Sequence, residues 1–239
     1  SLLVQGSVLP LKKNYTKKIS FIGDSITCGY GIDGTWGKEV FSTQTERADK
    51  SFAFCTAKKL GADFECCSWS GIGLISIYVD PATAKLPDTD ILMPSLWPYT
   101  DKSLSLKLNL EPELFDSSKF SPDIIVINLG TNDASWVQKY EDRRVSFVSA
   151  YFQFLEMVYR QNPNACFCTC LGVMGQDLCS SVKDAVEKFS TIHPSAKIIT
   201  VDLPLQKEQD GIGVDWHPSA KTHQKTADFL SEKLKVFFK

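Results

Sequence analysis

Serine, histidine, an asparagine amide and glycine-rich backbone stand in four short stretches of this 239-residue chain, and acyl transfer needs those parts. Residues 21–31, FIGDSITCGYG, set Ser25 on a turn straight after a short apolar, β-branched run. Residues 69–73, WSGIG, and 130–133, GTND, follow two further strand-like runs, and DWHPS at 215–219 stands near the C-terminus. A serine hydroxyl is a weak nucleophile until an adjacent imidazole takes its proton. The oxyanion formed on attack then needs donors aimed where charge develops, each worth about 3 kcal/mol. Taken alone, the first stretch also reads as an ordinary strand-to-helix turn in which Asp24 and Ser25 are capping residues. The elements around it have to decide.

From Lys18 onward, strand-like and helix-like segments alternate. Strands are predicted to end at Ile22 and to cover 64–68, 124–129, 166–173 and 198–201, and the continuous apolar run at 124–127 suits a strand covered on both faces. Helices are predicted over about 47–60, 141–160, 181–191 and from Pro218 nearly to the end. Val145, Val148, Phe152, Leu155 and Tyr159 are the expected buried stripe of the long one. This alternation implies a three-layer α/β/α fold on a parallel, doubly wound, flavodoxin-like sheet of about five strands. Parallel strands carry the Ser25, Gly71 and GTND loops to one carboxyl edge, where open α/β sheets bind ligands. Residues 17–239 read as one domain, and residues 1–16 as a lead-in without a clear period.

Composition excludes several classes. The chain is 43% apolar and 23% charged with a net charge of −2, which gives no electrostatic basis for binding nucleic acid or an anionic membrane. No apolar run approaches the roughly 20 residues needed to span a bilayer. Its eight cysteines lack C-x-x-C spacing and read as small buried thiols rather than a disulfide scaffold or metal site.

GDSITCGYG, the Gly71 loop, GTND and DWHPS occur in the order of the four sequence blocks of the SGNH (GDSL-type) hydrolases, over about residues 17–239. Their wording most resembles carbohydrate esterase family two, the deacetylases of acetylated plant polysaccharides. The resemblance implies that Ser25 is the nucleophile and His217 the general base. It implies an oxyanion hole made of the Ser25 and Gly71 backbone amides and the Asn132 side chain. It implies no metal or organic cofactor, an acetylated carbohydrate as the partner, and export from the cell. Relatives of this kind carry a β-sandwich before the hydrolase domain, so residues 1–16 are expected to be a lead-in or that sandwich's last strand.

Pro218 fits a first helical position, which puts His217 at a helix cap whose dipole favours the neutral imidazole that a base needs. The wider superfamily has its aspartate three residues before the histidine; here that residue is Val214, and Asp215 stands two before. Asp215 therefore either completes a triad, contacts substrate, or leaves a Ser–His dyad oriented by a backbone carbonyl. The pentapeptide HPSAK recurs at His193, which reads as a turn histidine, and His223 is expected to face solvent. Among Trp69, Tyr78, Trp97, Tyr99, Trp136 and Trp216, the expected sugar-binding residues are Trp216, Tyr78 and Trp136, because aromatic faces stack on the apolar faces of sugar rings. The expected activity is removal of O-acetyl groups from a plant-type polysaccharide. The rivals are a lipid-directed esterase and a non-catalytic carbohydrate-binding module.

Overall fold

The computed structural model describes residues 15–238 and holds one five-stranded parallel sheet in the order β2-β1-β3-β4-β5. The strands are β1 Lys18–Gly23, β2 Asp63–Ser68, β3 Ile124–Asn128, β4 Cys166–Gly172 and β5 Ile198–Leu203. Every residue of β3 is buried, as its unbroken apolar run requires of a central parallel strand. The chain leaves β1 to one side to form β2 and returns to the other to form β3. The strand order thus reverses between β1 and β3, and the crevice at their carboxyl ends is where such sheets hold ligands.

Eight α-helices accompany the sheet among the described residues: α1 Ser25–Cys28, α2 Phe52–Leu60, α3 Met93–Leu96, α4 Lys102–Lys107, α5 Thr131–Val137, α6 Glu141–Gln161, α7 Cys179–Ile192 and α8 Ala220–Leu234. The two faces of the sheet are covered separately. Ile22, Ile125, Ile127, Phe167 and Leu171 pack with α6 and α7, while Ile19, Phe21, Val126, Cys168 and Cys170 pack with α2 and α8. That segregation follows from the two-residue repeat of a strand and yields the three-layer architecture expected from the sequence. All eight cysteines are free thiols.

Three expectations need correction. The buried side of α6 is Phe147, Val148, Tyr151, Phe154, Leu155 and Val158, a wider arc than expected because the helix packs on both the sheet and α7, whereas Val145 is 58% exposed. His223 does not face solvent: it is buried, and its Nδ1 accepts the Phe52 N–H at 3.0 Å, satisfying a free donor at the start of α2. Helix α8 starts at Ala220 rather than Pro218, because the Ser219 hydroxyl accepts the Thr222 N–H and so acts as N-cap. Residues 1–14 of the expected lead-in lie outside the described residues.

Candidate active site

Strand β1 ends at Gly23, and Asp24 takes an extended backbone and caps α1, with its Oδ1 accepting the Ile26 N–H at 3.0 Å. Helix α1 lasts only four residues before Gly29 turns it off in a left-handed conformation, so Ser25 stands at the first position of a very short helix. The N–H groups of a first turn have no partner within the helix. That of Ser25 finds no acceptor among the described residues. Burial pushes the Asp24 carboxyl up to about 7, against the lowering effect of its Ile26 hydrogen bond.

His217 lies across from this turn, with Nε2 2.8 Å from Ser25 Oγ. Its Nδ1 faces two main-chain oxygens, Val214 O at 3.2 Å and Asp215 O at 3.1 Å. Carbonyl oxygens only accept, so Nδ1 carries the proton and Nε2 is left bare to receive the Ser25 hydroxyl hydrogen. Burial holds the imidazole below its usual pKa of 6.5, while the two carbonyls and the Asp215 charge pull it back up. His217 precedes the Ser219 cap by two residues, so burial takes the part that the helix dipole was expected to play in keeping it neutral.

The Asp215 carboxylate does not reach the imidazole. Its Oδ2 accepts the Tyr30 hydroxyl at 2.5 Å, and the Tyr30 ring stands edge-on to the His217 ring with centroids 4.3 Å apart. The reason lies in the backbone. A bridge between Ile212 and Pro218 closes a tight loop whose tip residues, Asp215 (φ 48°) and Trp216 (φ 64°), are both left-handed. Non-glycine residues held so cost on the order of 1–3 kcal/mol each and need support. It comes from Gly213 N–H on His217 O at 2.8 Å, Gln206 Nε2 on Trp216 O at 2.7 Å and Val214 N–H on Gly31 O at 3.2 Å. Gly31 (φ +82°) comes so close that a Cβ there would lie 2.8 Å from His217 Cβ. With main-chain oxygens on Nδ1, Asp215→Asn is expected to keep kcat/KM within about tenfold of the parent, against the roughly 10⁴-fold loss that follows when an orienting aspartate is amidated. Steady-state kinetics on 4-nitrophenyl acetate read the difference.

The remaining loops meet at the same edge. Gly71 is left-handed (φ +85°), and its N–H finds no acceptor among the described residues. Asn132 Nδ2 donates to Ile72 O at 2.8 Å, which ties the two loops together. Buried Asp133 accepts the N–H groups of Leu74 and Ile75, both at 2.8 Å, and of Ser76 at 3.3 Å, closing the chain after Gly71 around one carboxylate. Burial lifts that carboxyl to about 6 despite the three donors.

Of the aromatic residues, Trp216 is 37% and Tyr78 60% exposed beside these loops. Trp136 is buried, with the Arg143 guanidinium 3.5 Å above its ring, so it offers no open face to a sugar. Trp97 and Tyr99 line a separate cavity of about 340 Å³ along β2. Two contributors were missed in the sequence. Tyr30 lies inside the GDSITCGYG block itself, and Trp36, in the glycine-rich GIDGTWG stretch, packs edge-on against Trp216 with centroids 4.6 Å apart.

A model of the GDSL-like lipase/acylhydrolase family matches residues 21–225. The chain is 36% identical over 234 residues to the cellulase/esterase CelE of Acetivibrio thermocellus, a match covering 96% of this chain and 27% of that protein. It is 30% identical over 234 residues to an acetylxylan esterase / glucomannan deacetylase of Cellvibrio japonicus, covering 93% of this chain and 59% of that one. Among solved structures it superposes on a family two carbohydrate esterase from Clostridium thermocellum in complex with cellohexaose with a TM-score of 0.80 at 36% identity, over 97% of this chain and 67% of that one. The chain spans about a quarter of the length of the first curated relative and under two thirds of the second.

Proposed function

As the chain belongs to the GDSL-like lipase/acylhydrolase family, we propose that it is a serine esterase removing O-acetyl groups from plant-type polysaccharides or their oligosaccharides. The observation that carries this reading is the 2.8 Å contact between the unprotonated Nε2 of His217 and Ser25 Oγ. Ser25 Oγ attacks the acetyl carbonyl while His217 takes its proton. The tetrahedral oxyanion accepts hydrogen bonds from the Ser25 and Gly71 N–H groups and from the second N–H of the Asn132 amide. Collapse expels the sugar oxygen, which leaves with the proton from His217, and the acetyl group stays on Ser25. Water then attacks that ester while His217 takes its proton. The second tetrahedral intermediate collapses by breaking the Ser25 Oγ–carbon bond as that proton passes from His217 to Oγ, which releases the acetyl group as acetic acid and restores both residues. Support for the acetylated glycan comes from relatives whose names state acetylxylan and glucomannan deacetylation, from exposed Trp216 next to His217 in the chain, and from exposed Tyr78, whose N–H donates to Gly71 O at 2.9 Å.

The test is acetate release from acetylated xylan, acetylated glucomannan and 4-nitrophenyl esters of increasing acyl length. Turnover of the glycans with a sharp fall beyond short acyl groups is expected. A preference for long chains would transfer the assignment to a lipid-directed esterase, and binding without turnover to a carbohydrate-binding module. The pH profile follows from the base. Only neutral His217 can accept a proton, and its pKa lies below 6.5. Hence kcat/KM is expected to rise with pH, pass its midpoint below 6.5 and stay level above it, as initial rates across a constant-ionic-strength buffer series would show.

A further inference from the structure

The mechanism makes no use of Trp36, yet the structure sets this residue against the catalytic loop. Its loop is stitched to the segment that carries His217 through Val214 N–H on Gly31 O at 3.2 Å and Trp36 N–H on Ile212 O at 3.4 Å. Gly34 packs so closely on Val214 that a Cβ would meet its Cγ2 at 2.4 Å. A segment anchored this well has the means to bury its aromatic residues and does not: Trp36 and Phe41 are each 56% exposed. Isolated exposed apolar residues are ordinary. A contiguous set joined to a nucleophile–base pair marks a surface kept for a ligand.

The indoles of Trp36 and Trp216 stand at 79° to each other, so together they form two walls of a corner. Trp216 is the residue before His217 and fixes that corner to the reacting centre. The corner is open to water, and Lys38 and Glu39 are exposed on the same loop. An acyl chain calls for an enclosed apolar channel, whereas a pyranose has an apolar C–H face to lay on one wall and hydroxyls at its rim for water and polar neighbours. We propose that Trp36 and Trp216 form a subsite for a non-reacting sugar ring of the glycan, so that the enzyme recognises a chain and not the acetyl ester alone. This rests on the deacetylase reading above.

The measurement is kcat/KM on acetylated β-1,4-linked mono-, di- and trisaccharides and on 4-nitrophenyl acetate, for the parent, Trp36→Ala and Trp36→Phe. For the parent, kcat/KM should rise with chain length. Trp36→Ala should flatten that rise and lower the ratio of kcat/KM on trisaccharide to that on 4-nitrophenyl acetate about tenfold, through KM, as loss of binding to a remote part of the substrate does. Trp36→Phe, which keeps an aromatic face, should recover most of the ratio. An unaltered ratio in Trp36→Ala, or an equal loss on all substrates, would overturn the subsite. A parent enzyme that hydrolyses 4-nitrophenyl acetate but no acetylated saccharide would instead overturn the deacetylase reading beneath it.

Discussion

Ser25→Ala is expected to lower kcat for acetyl ester hydrolysis by about 10⁶-fold while leaving the fold intact. The size follows from what the hydroxyl does. In the proposed mechanism it forms the bond to the acyl carbon, and among the described residues no other hydroxyl is hydrogen-bonded to His217 Nε2. What survives is the stabilisation supplied by binding and the oxyanion donors, on the order of 10³–10⁴ over water in serine hydrolases. Stability should barely change. Asp24 still caps α1 through its side chain, and alanine is a good helix residue at the first position. Acetate release measured beside a thermal melt separates lost chemistry from lost structure.

His217→Ala should cost about as much, and the double variant Ser25→Ala/His217→Ala should cost no more than either single one. Two groups that act only together cannot lose their contribution twice. The pH dependence gives a second readout. With the imidazole gone, hydroxide is the remaining base, so the residual rate should keep climbing with pH, where the parent levels off. Additive losses in the double variant would mean that Ser25 and His217 serve separate steps, and the pairing would fail.

The parts that were legible in the sequence are those whose signals are local. The apolar run of β3, the strand–turn placement of Ser25 and the wording of DWHPS each sit within a few residues, and alternation alone implied the parallel sheet that the structure holds. What escaped was set by contacts between distant segments or by backbone torsions. His223 is buried because it meets Phe52, 171 positions away along the chain. The carboxylate of Asp215 faces Tyr30 because two successive residues adopt left-handed torsions, which no residue type at 215 or 216 announces. The stripe assigned to α6 was too narrow since a helix between a sheet and a neighbouring helix buries a wider arc than one-sided amphipathicity suggests. Trp36 gave a weak signal, an aromatic residue among glycines, and only its packing on Trp216 ties it to the site.

The two left-handed residues also explain how a site can do without a side-chain orienter. Strain at Asp215 and Trp216 is held by Gly31, Gly213, Gln206 and Tyr30, and it turns two carbonyl oxygens toward Nδ1. Those oxygens carry no full charge, so they fix the tautomer while raising the basicity of the imidazole less than a carboxylate would.

The most direct measurement of the Ser25–His217 pairing is covalent labelling with an acetyl-sized phosphonate ester, a mimic of the tetrahedral intermediate, followed by peptide mapping. One phosphonyl group on Ser25, formed in step with loss of activity and absent from His217→Ala, is the expected result. Activity that persists after Ser25 is fully labelled, or that disappears with the label on another residue, would contradict the assignment.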